Sequence, residues 1–267
     1  MGEGGDQPRP RPRNRRTRYN NVRAVFKAAV RDRVIQSDPT DGVVLPRKRR
    51  NEAALTLPTS EQVGTLLGVA EEPFRPTLAL AAFAGLRVGE ICAVQLGDVE
   101  LLGRRLQVRR QVQRENGGGV EIRPPKYNSE RTIHLPDGLV QILDRHVETR
   151  GLTKPGEWLF YGRNGNPPHQ NTMTYYWRRA RAKASVQDLK MHDMRHYFAS
   201  GLIAAGCDVV TAQRALGHAS ATTTLNIYAH LWSTAEDRTR AAADRLLTEA
   251  LGDPADSLRT DGGLEVR

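Results

Sequence analysis

The sequence predicts an α+β protein, mainly α-helical, with a small three-stranded antiparallel sheet at one edge. Apolar residues recur at helical spacing through most of residues 60–250. One stretch, 105–112, alternates with period two instead, placing Leu106, Val108 and Val112 between Arg and Gln. Gly117-Gly118-Gly119 then turns the chain back through Val120 and Ile122, and Thr132 to Leu135 supplies the third strand.

Each element follows from its residues. Residues 1–18 are a Gly, Pro and Arg tract without apolar periodicity, and disorder is expected there. From Tyr19 to about Ile35, Val22, Val25, Phe26, Ala29, Val30 and Val34 share a helical face, and Asp38-Pro39 closes the helix. Pro39, Pro46 and Pro58 mark a linker through 37–58. Ser60 is placed to cap a helix running to about Ala70, and Arg75 to Ala84 reads as a buried helix that delivers Arg87 at its end. Further helices are expected over 137–148, 171–184, 192–205, 208–216, 222–230 and 234–250, with a mobile end at 252–267.

The 267 residues can enclose a substantial core. A net charge of +10 and a pI near 10.0 favour a polyanionic partner. The excess is local: residues 1–50 hold 14 Lys+Arg against 5 Asp+Glu, so the rest of the chain is nearly neutral and must gather positive charge in a cleft. Cys92 and Cys207 sit in apolar helical stretches without CxxC spacing, and read as buried thiols of a reducing compartment. No apolar run approaches membrane-spanning length.

Five short motifs stand out: AGLRVGEI around Arg87, PPKYNSERTIHLP after Lys126, HDMRHYFAS from His192, ALGHAS around His218 and TTTLNIYAH around Tyr228. Attack on a phosphodiester builds negative charge on the non-bridging oxygens and on the leaving oxygen. Two arginines suit the first, because the guanidinium fork is planar, permanently charged and bidentate. Arg87 and Arg195 are the candidates. Gly85 and Gly89 would let backbone approach a ligand, and Glu90 lies one turn beyond Arg87, where it can orient it. A protonated lysine serves as acid to a leaving oxygen, and a tyrosine serves as nucleophile. Taken singly, each has a plainer reading: a solvated arginine, a loop lysine, or one core tyrosine among seven.

In that order and in those contexts the motifs resemble the tyrosine recombinases, the phage integrase family, over roughly residues 57–250. The resemblance implies an integrase-like catalytic domain over 59–251 that breaks and rejoins DNA strands through a 3′-phosphotyrosine. It assigns Arg87 and Arg195 to the phosphate, with Glu90 supporting Arg87, and Lys126 to protonation of the 5′-oxygen. His192 would contact the phosphate or accept the tyrosine's proton, and His218 would donate to a non-bridging oxygen. Tyr228, ten residues after His218 and behind Thr222-Thr223-Thr224, occupies the place of the family's nucleophile. His196 is expected as a hydrogen-bonded core histidine. The implied partner is double-stranded DNA, no cofactor is required, and the setting is cytoplasmic, at the nucleoid. The family acts as a homotetramer, for which the C-terminal segment 235–251 would dock on a neighbour. Residues 19–36 resemble the last helix of the family's core-binding domain, which is expected to be truncated here, with Arg47, Lys48, Arg49 and Arg50 contacting DNA from the linker.

Two other readings compete. A remnant of this kind could bind DNA without recombining it. Alternatively, His192 and His196, at i and i+4, could hold zinc in a hydrolase. Against the latter, Asp193 stands where a general-base Glu would be, Arg195 is a fixed cation beside the metal, and a third ligand would have to come from His218 or His230.

Overall fold

The computed structural model describes residues 12–45, 57–115, 119–162, 165–231 and 235–251. They divide into two compact units, Met1–Thr56 and Leu57–Arg267. Arg47, Lys48, Arg49 and Arg50, the Gly117-Gly118 turn and the ends 1–11 and 252–267 lie outside the described residues.

In the first unit, helix α1 spans Pro12–Arg31. It starts seven residues before the expected Tyr19, inside the tract expected to be disordered. Proline suits the first helical position and arginine is a good helix former, so propensity extends the helix where apolar periodicity is lacking. It also stops before Ile35: Arg33 turns left-handed at φ 57°. Asp38 then accepts from the backbone and hydroxyl of Thr40, whose carbonyl receives the Tyr19 hydroxyl at 3.1 Å.

The second unit opens with α2 (Ser60–Val69). Its cap is Thr59 rather than Ser60: Thr59 Oγ1 accepts from Gln62 N, and the Gln62 side chain accepts from Thr59 N. Ser60, already helical, pairs its hydroxyl with that of Tyr197. Helix α3 (Arg75–Phe83) is buried from Pro76 through Ala82. Arg87 does not end this helix. Gly85, at φ +64°, turns the chain, and Arg87 becomes the N-cap of a separate short helix α4 (Val88–Cys92).

The strands regroup relative to expectation. The single strand foreseen over 105–112 divides into β2 (Arg105–Val108) and β3 (Gln111–Arg114). At the break, Arg110 turns in to Asp98, an almost fully buried carboxylate, at 2.6 Å, and that ion pair interrupts the ladder. The three-stranded antiparallel sheet is β1 (Val99–Glu100), β2 and β5 (Arg131–His134), with Leu106 opposite Ile133. Strands β3 and β4 (Val120–Arg123) form a separate hairpin, Val112 opposite Ile122.

Helices α5 (Asp137–Arg150), α6 (Gln170–Lys183), α7 (Met191–Ala204), α8 (Val209–Leu216), α9 (Ala221–Tyr228) and α10 (Ala235–Leu251) follow the expected spans to within two residues. The core gathers Leu78, Leu80, Leu86, Ile91, Leu106, Leu143, Leu159 and Met194. Helix α3 lies at its centre, packed on α5 and α7, so the Arg87 turn at one end of α3 and the His192–His196 face of α7 are held by one apolar mass. Cys92 is buried as expected, whereas Cys207 is only half-buried.

Candidate active site

The site begins with a carboxylate. Glu90, fully buried, accepts the Arg87 backbone N–H on Oε2 (2.9 Å) and Arg87 Nη1 on Oε1 (2.7 Å). Arg131 on β5, its side chain largely covered, grips the same carboxylate with Nη1 on Oε1 (3.2 Å) and Nη2 on Oε2 (2.8 Å). Burial alone would raise the Glu90 carboxyl, but the bonds and charges of Arg131 and Arg87 overcome it and hold the group at about 2. One carboxylate thus serves two guanidiniums, leaving net positive charge.

The same guanidiniums reach the C-terminal end of α8. Arg131 Nε donates to Ala215 O at 3.0 Å, and Arg87 Nη2 donates to Gly217 O at 2.9 Å. Gly217 caps α8 at φ +59°, and a Cβ there would lie 2.7 Å from Arg131 Nη1. Arg195, 2% exposed, donates to Leu216 O and to Gly85 O. Its burial, and next the charge of Arg87, lower it to about 9, leaving it charged at neutral pH. Gly85 and Gly89 do not open onto a ligand as the sequence suggested. A Cβ on Gly85 would strike the Phe198 ring at 2.4 Å, and one on Gly89 would meet Val112 O at 2.9 Å. Their smallness serves the packing of α3 on α7 and of α4 on β3.

The histidines and the tyrosine complete the cluster. His218, directly after Gly217, pairs Nδ1 with the buried Thr224 hydroxyl at 2.9 Å. Burial, followed by the charges of Arg195, Arg87 and Arg131, lowers His218 to about 4. His192 is likewise lowered to about 4, by burial and then by His196 and Arg195. Both rings are therefore neutral at pH 7. Tyr228, at the end of α9, is 1% exposed, and its hydroxyl lies 2.6 Å from His196 Nδ1. Burial raises the phenol to about 12 against the pull of Arg195.

Arg87, Glu90, His192, Arg195, His218 and Tyr228 are thus brought together at one end of α3, α7 and α8, while Lys126 is not. It begins a single turn, Lys126–Asn128, after Pro125, with Tyr127 and Asn128 both left-handed at φ 61° and 51°. Its side chain is exposed and makes no hydrogen bond or ion pair to the cluster among the described residues. Three participants were not foreseen: Arg131, the Gly217 carbonyl and the contact of His196 with Tyr228. Arg131 was within the quoted SERTIHLP run, but its charge pairs 41 residues away in sequence. The HDMRH pattern gathers no metal set: among the described residues no group of three or more His, Cys, Asp or Glu is arranged so that it could hold a metal ion, and His196 Nδ1 is engaged by Tyr228.

Residues 58–234, more than half of the chain, match the phage integrase family model, and the chain belongs to that family. It is 28% identical over 217 residues to a putative prophage phiRv2 integrase of Mycobacterium tuberculosis, covering 79% of this chain and 56% of that protein. It is 24% identical over 230 residues to the ICEBs1 integrase of Bacillus subtilis, covering 83% and 62%. The chain therefore spans between half and two thirds of the length of these curated relatives. Among solved structures, the Tn1549 transposon integrase in complex with transposon right end DNA shares the fold at a TM-score of 0.67 and 24% identity, over 85% of this chain and 77% of that one.

Proposed function

We propose that this chain is a site-specific DNA recombinase that cleaves and rejoins strands through Tyr228. The observation that carries it is the placement of two guanidiniums, half-buried Arg87 and buried Arg195, on the carbonyls at the α8 end, beside the buried phenol of Tyr228. Arg87 and Arg195 hold the non-bridging oxygens, donating charge where the transition state gathers it. Glu90 and Arg131 orient Arg87. His218, its Nδ1 occupied by Thr224, offers Nε2 to a non-bridging oxygen, and His192 contacts the phosphate. Tyr228 oxygen bonds to phosphorus as the bond to the 5′-oxygen breaks, and that oxygen takes a proton from Lys126. The product is a 3′-phosphotyrosine, which a 5′-hydroxyl of another strand can reverse. The energy of the broken bond stays in the adduct, so the step consumes no nucleotide.

Double-stranded DNA is the partner this chemistry requires. Arg47, Lys48, Arg49 and Arg50 supply phosphate contacts in this reading. Helix α10, which exposes Leu246, Leu247 and Leu251, docks on a neighbouring copy in a tetramer. No helix among the described residues is long and apolar enough to cross a membrane, which accords with action on DNA in the cytoplasm.

The test is capture of DNA from a library of random-sequence duplexes each carrying one nick, which lets the short cleaved fragment escape. The native chain should form an adduct stable to denaturation, and Tyr228→Phe should form none while binding DNA as before. Binding without any adduct would favour a DNA-binding protein that does not recombine. An adduct surviving in Tyr228→Phe would move the nucleophile elsewhere.

A further inference from the structure

The reading above leaves the phenolic proton unassigned, and this proton matters. Burial holds the Tyr228 hydroxyl at about 12, so at neutral pH the nucleophile is a neutral phenol that must lose its proton as it attacks. The resemblance to the recombinases offers His192 as one recipient. Yet His192 makes no hydrogen bond to Tyr228 among the described residues, whereas His196 Nδ1 lies 2.6 Å from the hydroxyl.

The surroundings of His196 suit a proton acceptor. Its ring meets that of His192 edge-on at 4.8 Å and that of Tyr228 at 5.6 Å. Burial, with the neighbouring Arg195 charge, holds His196 below the ordinary histidine range, while Asp193 opposes. That favours the neutral ring, which carries one nitrogen with a free electron pair. A phenol donates more readily than a neutral imidazole, which puts the hydroxyl's hydrogen on the line to Nδ1.

We propose that His196, rather than His192, is the base that receives the proton of Tyr228. The inference rests on the recombinase reading of this site. As the Tyr228 oxygen bonds to phosphorus, its O–H bond breaks and the proton passes to the electron pair of His196 Nδ1, making an imidazolium. The P–O5′ bond breaks in the same step, and the leaving oxygen takes its proton from Lys126. In the reverse step His196 returns the proton to the departing phenol, so no external acid is consumed.

The test uses His196→Asn, whose amide reaches about the position of Nδ1 and can hold the hydroxyl without taking its proton, with His196→Gln beside it. Both are compared with the native chain for melting temperature, DNA binding and rate of adduct formation. The expected result is unchanged binding with adduct formation slowed by about 10²-fold or more. Difluorotyrosine at position 228, a more acidic phenol, should recover most of that loss in the variants and do little in the native background. An adduct formed at the native rate by His196→Asn overturns the assignment. So does a loss that the acidic phenol fails to relieve, which would mean a structural role, and so does a faster reaction, which would make His196 a latch. Should neither variant fold, nitrogen-15 resonances of the otherwise native chain decide: Tyr228→Phe should move the His196 Nδ1 signal, and an unmoved signal overturns the contact. Absence of any adduct from the native chain would instead sink the recombinase reading itself.

Discussion

Two regions of the catalytic unit hold positive charge in opposite ways. At the junction of α4, β5, α7 and the end of α8, the guanidiniums of Arg87, Arg131 and Arg195 are largely or wholly withdrawn from water, each donating to a carboxylate or a carbonyl. At the turn before β5, Lys126 stands exposed, followed by two consecutive left-handed residues, Tyr127 and Asn128. Buried charge is costly to desolvate and persists only when fully partnered, so the junction is organised before any ligand arrives. Such preorganisation suits groups that stabilise developing charge. A general acid needs its position only as the leaving oxygen departs, so a residue on an exposed turn can serve once DNA aligns it.

The contrast predicts that removing charge at the two places has opposite consequences. Lys126→Ala should slow cleavage of an ordinary phosphodiester by about 10² to 10⁴-fold. It should do far less when sulfur replaces the bridging 5′-oxygen, because a thiolate leaves without a proton. Equal slowing on the two substrates would assign Lys126 to positioning. Its unfolding free energy should stay within about 0.5 kcal/mol of native, as for exposed residues generally.

Glu90→Gln should do the reverse. It leaves Arg131 buried without its counter-charge, at a cost of about 3–5 kcal/mol, read from denaturant unfolding. A loss below about 1 kcal/mol would mean that the junction is not organised by its carboxylate.

Acid should expose the same difference. The folded Glu90 carboxyl, held at about 2 against the usual 4.5, binds its proton later than in the unfolded chain. It therefore contributes stability above about pH 4.5 that is lost as pH falls through about 2, amounting to about 3 kcal/mol. His192 and His218, held at about 4 against the usual 6.5, are neutral in the fold and protonate first when unfolded. Their contribution drains away between about pH 6.5 and 4. Unfolding curves at pH 7, 5 and 3 should show both windows in the native chain, and Glu90→Gln should lack the lower one.

The smallest effect concerns the basic N-terminal excess. Six arginines lie between Arg9 and Arg18, and four more cations between Arg47 and Arg50. If about six of them reach phosphates, log K for a random duplex should fall with log salt more steeply, by about 5, than for residues 51–267 alone. Fluorescence anisotropy measures both slopes; equal slopes would leave DNA to the catalytic unit.

Most of the helices, and the residue types that could handle a phosphodiester, were legible in the chain itself, although the short α4 after Gly85 was not. Periodicity, Gly217 after α8 and the motif order are local properties of the chain. Even so, local reading erred where two local signals competed: Thr59 displaced Ser60 as the cap, and arginine propensity started α1 at Pro12. Tertiary packing settled that Arg110 turns to Asp98 where one expected strand becomes two. It alone set Arg131 on Glu90 and gave the Tyr228 proton a neighbour in His196, 32 residues away in sequence. The physical reason is that a buried charge or hydroxyl must find a partner wherever packing supplies one, and packing joins residues whose separation along the chain carries no periodic signal.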